Sequence, residues 1–338
     1  MIIPTTYATA LMLTILTMIC WGSWANTFKM TRKWRFELFY FDYAAGVLLA
    51  AIIAAFTFGS MGDELTFQDN LQVASKRMMM WGLLAGVVFN LANMLLVAAI
   101  SISGMSVAFP IGIGLALVIG TIWSFLLNPQ GNPILLFAGA ALVGVAIVVN
   151  AMAYRAHLGG TSAAASKSVK GIVISLVSGV LMGSFYPLVE MSKGPEIGYG
   201  LGPYTVGFFF AIGVFASTFV FNLYFMNLPV QGEPVGLAEY FRGSWLNHLL
   251  GIFGGVVWTT GAISNFVAAS APKSVQLGPA ISYAIGQCAT LVSVLWGLFV
   301  WKEFRGASSR VRMLIGLMIA LFVGGVALLA IAPLFTKA

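Results

Sequence analysis

The stretch Gly82–Ser124, GLLAGVVFNLANMLLVAAISISGMSVAFPIGIGLALVIGTIWS, decides how this chain is read, because it returns at residues 251–293 under one ungapped shift of 169. The shift lays Gly82 on Gly251, and Gly86-Val87-Val88 on Gly255-Val256-Val257. It also lays Ala99 on Ala268, Ser101 on Ser270, Pro110 on Pro279, Thr121 on Thr290 and Ser124 on Ser293. Nine identities in 43 positions carry weight because the landmarks keep their order: a Gly-x-x-x-Gly opening, a short polar break, then a proline early in the next apolar run. The repeat reads as a duplicated helical hairpin, and so as a chain of two similar halves.

Composition sets the solvent. Of 338 residues, 60% are hydrophobic and 8% charged, with a mean hydropathy of +0.96. A soluble globular protein carries about 25% charged residues. Apolar runs of about 20 residues, long enough to cross a bilayer core, recur along the whole length. The run Thr6–Phe28 has no basic segment before it and no small-residue cleavage site, so it reads as a first spanning helix rather than a secretion signal. Cys20 and Cys288 each sit inside an apolar run and suggest neither a disulfide nor a metal framework.

Outward from the repeat, the chain divides into ten expected spans, near 6–28, 37–60, 78–100, 104–127, 133–154, 171–192, 203–227, 248–270, 275–301 and 311–333. The expected organisation is a first five-helix repeat over 1–154, a cytoplasmic linker over 155–170 carrying Gly159-Gly160-Thr161-Ser162, and a second five-helix repeat over 171–338. Basic residues choose the side of the membrane. Lys29, Arg32, Lys33, Arg35, Arg155, Lys167, Lys170, Arg242, Lys302, Arg305, Arg310 and Arg312 fall on one side; Lys76, Arg77, Lys193, Lys273 and Lys337 fall on the other. Twelve against five puts the first group in the cytoplasm and both termini outside the cell (inner) membrane. The formal charge of +7 is then loop charge facing anionic lipid, with no basic soluble domain for nucleic acid. Five spans per half invert the second half in the membrane, an architecture of many secondary transporters, which place their site near the midplane between repeats. Trp21-Gly22-Ser23-Trp24 before Lys29-Met30 matches Met182-Gly183-Ser184-Phe185 before Glu190-Met191, and that pairing lays Tyr43 on Tyr204.

Several of these residues also form a family pattern. Gly104-Met105-Ser106, followed by Ile111-Gly112-Ile113-Gly114 and Val118-Ile119-Gly120-Thr121, resembles the fourth span of bacterial L-rhamnose–proton symporters. Asn93 resembles the amide of their Gly-Asn element, with Ala92 here in place of the glycine. Gly254-Gly255-Val256-Val257-Trp258 and Lys302-Glu303-Phe304 look like that group and the bacterial glucose/ribose uptake porters. The first hairpin, with Gly22-Ser23-Trp24 and Tyr40-Phe41-Asp42-Tyr43, is similar to plant ureide permeases. The resemblance, to the drug/metabolite transporter superfamily, implies ten helices in two inverted halves moving small polar solutes.

Polar residues in apolar spans need partners, from another helix, water or a solute. Asn90 and Asn93 share one face of span 3; they fit solute recognition, or hydrogen bonding between helices. Span 8 carries Trp258, Thr259, Thr260 and Asn265. A mid-span tryptophan suits the apolar face of a sugar or heterocycle, or plain aromatic packing. Tyr283 and Gln287 lie one turn apart in span 9. Trp21 and Trp24 lie towards the cytoplasmic end of span 1, where tryptophan belts occur; the family resemblance keeps Trp24 among the solute-site candidates. Pro110 and Pro279, at matching places, each free a carbonyl one turn earlier and are candidate gating positions, or prolines tolerated near a span's start. Asp42, about 8 Å into span 2, and Glu190 are candidate coupling groups for a proton; Asp42 can instead pair with Arg32, Lys33 or Arg35, and Glu190 can snorkel beside Lys193.

No nucleophile–base set, metal-ligand cluster or Walker motif appears among the spans, so neither an enzyme nor a cofactor is expected. The sequence therefore points to an all-α integral membrane protein, a secondary transporter of a small polar solute. A sugar with proton coupling leads, a ureide- or nucleobase-like solute is the alternative, and an exporter of drugs or amino acids is a third option.

Overall fold

In the computed structural model the described residues are 1–31, 34–62, 65–127, 132–158, 162–194, 200–272, 275, 285–286 and 288–335. Among them every regular element is helical: α1 Tyr7–Ser23, α2 Ala25–Met30, α3 Phe36–Phe56, α4 Phe67–Val73, α5 Lys76–Ser103, α6 Met105–Leu127, α7 Pro133–Leu158, α8 Ser162–Lys193, α9 Pro203–Asn227, α10 Leu237–Phe241 and α11 Trp245–Ala269. Ala289–Leu295, a π-turn over Trp296–Val300 and a last long helix, Ser309–Ile331, follow. Polar residues at the ends fix where helices begin. Thr6 Oγ1 accepts Thr9 N–H, Ser244 Oγ accepts Asn247 N–H, and Ser308 Oγ accepts Val311 N–H, each satisfying a donor the first turn would leave open.

Among the described residues eight helices are long and apolar enough to cross a membrane, and they coincide with expected spans 1, 2, 3, 5, 6, 7, 8 and 10. In the region of span 4 lies α6, and in that of span 9 the apolar helical stretch Ala289–Val300. Two breaks carry structure of their own: α4, opened by a reciprocal Thr66–Asp69 capping box, and α10. Within the expected linker, α8 starts at Ser162, so only 159–161 separate it from α7, and those three lie outside the described residues.

The chain forms two compact units, one of Met1–Met94 with Phe185–Gly278, the other of Leu95–Ser184 with Pro279–Ala338. Each draws on both halves of the chain, and α5 and α8 contribute to both. In the first unit, α3 packs on α11 through glycines. A Cβ on Gly255 would stand 2.1 Å from Tyr43 O, and one on Gly46 2.1 Å from Ile252 O. The contact of α5 with α9 is alike: a Cβ on Gly86 would stand 2.1 Å from Phe210 O, and one on Gly213 2.2 Å from Leu83 O. Gly86 and Gly255 are the two glycines that the 169-residue shift superposes, and each brings its helix onto a helix of the other half. Such close approach is how helices associate in lipid, where dispersion contacts replace a hydrophobic driving force. In the second unit α7 meets the last helix at Gly139 and Gly325, each of whose Cβ would stand 2.8 Å from the other's carbonyl oxygen.

Candidate functional site

The first unit gathers most of the polar candidates. Asn90, fully buried on α5, donates its amide hydrogens to Ser217 Oγ (2.8 Å) and Thr218 Oγ1 (3.1 Å) of α9. It therefore ties α5 to α9, the helix-to-helix role. Asn93, one turn on, donates to Tyr40 Oη at 3.1 Å, and Tyr40 Oη donates in turn to Asn90 O at 3.4 Å. Tyr43 lies beside Tyr40, with ring centroids 5.0 Å apart, and its buried hydroxyl makes no well-formed hydrogen bond, although the Asn93 amide is near. Trp24 packs on Tyr43 at 4.9 Å and is 2% exposed, so it is a buried residue of this cluster rather than part of an interfacial belt.

Trp258 sits inside an aromatic group. Trp21 stacks on it at 5.9 Å and 13°, Phe210 at 5.6 Å and 13°, and Phe89 tilts against it at 4.2 Å. Phe185 touches Phe89 and Phe210. Thr259 faces α3, its hydroxyl 3.4 Å from Val47 O. On the face of α11 that carries Trp258 come Gly261, then Asn265, at positions i+3 and i+7. Trp21 closes over Gly261, where a Cβ would stand 3.0 Å from Trp21 Nε1. Asn265 is fully buried, and among the described residues neither its Nδ2 nor its Oδ1 finds a partner; nor does Trp21 Nε1. Two donors and one acceptor are thus left open about one helical turn apart. Leaving one such group unpaired costs about 1–3 kcal/mol.

Asp42 lies elsewhere in the same unit. Its Oδ2 is 2.8 Å from His248 Nδ1 of α11, and its Oδ1 accepts the Tyr240 hydroxyl of α10 at 2.6 Å. Trp34 and Tyr240 both set their rings edge-on to His248. Burial, then the hydrogen bond to Asp42 and its charge, push the Tyr240 hydroxyl well above its ordinary pKa. The basic neighbours expected for Asp42 are placed differently: Arg35 pairs with Glu37 at 2.5 Å and donates to Glu233 O, while Arg32 and Lys33 lie outside the described residues. His248 and Tyr240 were not singled out by the sequence as partners, because both flank a loop. Gly251, where a Cβ would stand 2.4 Å from Asp42 Cβ, lets α11 come this close.

Glu190 is 2.6 Å from Lys193 one turn on, on an exposed face, the arrangement of a snorkelling pair. Pro110 is buried inside α6, which continues through it; Pro187 does the same in α8, with no sequence expectation attached. Tyr283, Gln287 and Pro279 lie outside the described residues.

Eight apolar spanning helices with buried polar clusters define a polytopic integral membrane protein. The chain belongs to the ureide permease family, whose pattern matches residues 39–166 and 160–332, well beyond the first hairpin where the resemblance was read. It is 23% identical to ureide permease 2 of Arabidopsis thaliana, over 93% of this chain and 94% of that protein. It is 25% identical to the glucose uptake protein GlcU of Staphylococcus xylosus, over 86% and 85%. A protein of known crystal structure matches 98% of this chain and 99% of its own at a TM-score of 0.57 and 18% identity, which shows a shared fold. With relatives named for permeation and uptake, the chain is a transporter of small solutes.

Proposed function

We propose that this chain is a secondary transporter that carries a small, uncharged, amide- or hydroxyl-rich solute by alternating access, coupled to a proton. The observation that carries the reading is the buried Asn265 amide, without a partner among the described residues, about one helical turn along α11 from the Gly261 position that the Trp21 indole N–H covers, with the Trp258 stack on the same face. A carboxamide offers a donor and an acceptor in one plane, which complements the amide edge of a ureide and equally the paired hydroxyls of a sugar. Stacked indoles cover an apolar face while the amide fixes orientation. Asn93 with Tyr40 and Tyr43, and Trp24 above them, extend the polar patch along α5 and α3. Asn90 and Thr259 hold the flanking helices; Tyr283 and Gln287 are candidates to complete the site, and Pro110 and Pro279 to bend during gating. The glucose uptake relative favours a sugar and the family a ureide, so both classes are carried to the test. The matched glycines Gly86 and Gly255 support a duplicated, inverted origin.

Thermal unfolding of the purified protein, screened over ureides, nucleobases and sugars, tests the reading. One class is expected to raise the midpoint. Asn265→Ala, Asn93→Ala and Trp258→Ala are each expected to weaken binding of that solute about 5- to 150-fold, the equivalent of one lost buried partner. If no member of any class stabilises the wild type, or if Asn265→Ala binds as tightly, the site assignment fails.

A further inference from the structure

In the second unit a basic cavity lies where the chain turns from the π-turn Trp296–Val300 into the last helix. Lys302 stands there at φ +52, the one non-glycine residue at positive φ among the described residues. That conformation costs a side chain about 1–2 kcal/mol and persists only where neighbours enforce it. The next residue, Glu303, supplies the enforcement. Its carboxylate accepts Met105 N–H (2.9 Å) and Ser106 N–H (2.8 Å) at the start of α6, and its own N–H donates to Gly297 O at 3.0 Å. Gly104 and Gly297 leave no space for more: a Cβ on either would stand 2.7 Å from the Glu303 carboxylate. With Glu303 anchored inward, Lys302 is left exposed beside it.

Outside this anchor is an open cavity of about 410 Å³, lined by Lys302, Arg305 and Arg312 and by Leu298, Phe299, Phe304 and Ile315. The three cations form no ion pair among the described residues, and Glu37, Glu190, Glu239 and Asp42, which pair elsewhere, do not line the cavity. The apolar side runs on into exposed hydrophobic surface at Phe299 (71% exposed), Val300 and Met313. The cavity thus has a charged half at the end of a spanning helix and an apolar half continuous with the lipid-facing wall. A soluble anion would neutralise the first and leave the second in water.

The geometry points to a binding site for one anionic phospholipid, with its phosphate on Lys302, Arg305 and Arg312 and the start of its acyl chains on Leu298, Phe299, Phe304 and Ile315. Clusters of basic side chains at a membrane surface favour anionic headgroups, roughly fivefold in affinity per Lys or Arg. This site is independent of the solute reading and rests only on insertion in a bilayer.

Native mass spectrometry of the full chain in detergent, titrated with phosphatidylglycerol, phosphatidylcholine or glycerol 3-phosphate, tests it. Phosphatidylglycerol is expected to be retained at least tenfold more tightly than phosphatidylcholine, and glycerol 3-phosphate not to compete at equal concentration. The triple variant Lys302→Gln, Arg305→Gln, Arg312→Gln is expected to lose that preference, about 100-fold in all. Lys302→Gly guards against misfolding as the explanation, because glycine accepts positive φ: it is expected to unfold no earlier than wild type yet hold phosphatidylglycerol several-fold more weakly. Equal retention of both lipids, full preference in the triple variant or in Lys302→Gly, or displacement by glycerol 3-phosphate would each overturn the proposal.

Discussion

Asp42 shows how a single carboxylate is tuned by what surrounds it. It lies on a spanning helix but accepts a phenol hydroxyl from Tyr240 and faces the His248 imidazole, which is partly exposed. Through these two contacts the carboxylate holds α10 and α11 on α3. Asp42→Asn retains the acceptor for Tyr240 but fixes the charge at zero. The expected outcome is loss of accumulation driven by a pH gradient, with solute exchange across proteoliposomes largely intact. Uptake by Asp42→Asn that matches wild type under the gradient would make the residue structural. Glu190, beside Lys193 on an exposed face, offers no comparable arrangement.

Helix pairs here are set by missing side chains. At Gly255 and Gly86 the opposing group is a backbone carbonyl oxygen, which cannot rotate away as a side chain would. Overpacking a tight contact typically costs about 1–3 kcal/mol, and a rigid partner puts these sites at the upper end. Gly255→Ala and Gly86→Ala are therefore each expected to lower the thermal midpoint in detergent by several degrees. Gly144, where an added Cβ meets nothing within 4 Å, is the control: Gly144→Ala is expected to leave the midpoint unchanged or raise it, as alanine is the better helix former. A destabilised Gly144→Ala with tolerant Gly255→Ala and Gly86→Ala would contradict this account of the packing.

For the whole molecule, the distribution of basic residues sets the orientation proposed here. Twelve lysines and arginines fall on one side of ten spans and five on the other. That count of crossings requires the spans over α6 and over Ala289–Val300 to traverse the bilayer as the other eight do. A reporter active only outside the cytoplasm, fused after Ala338, is expected to be active. A cytoplasmic reporter inserted between Leu228 and Gly236 is expected to be active as well. The opposite pattern at both positions would invert the orientation, and activity of a single reporter type at both would mean that an even number of spans separates them, not the three that ten spans place there.

Sequence alone determined that this chain lives in a membrane and where its long helices run. Those follow from hydrocarbon thickness and helical rise, both of which a linear string records. The same string placed Asn90, Asn93, Trp258 and Asn265 in apolar spans but could not say which were already satisfied. Tertiary packing decided that: Asn90 meets Ser217 and Thr218 of α9, whereas Asn265 meets no partner among the described residues. It also gave Asp42 to His248, 206 positions away, instead of to nearby Arg35, and set Glu303 on the amides of Met105 and Ser106. Hydrogen bonds between side chains depend on which helix faces approach within about 3 Å, and that is fixed by the glycine contacts between helices distant in sequence.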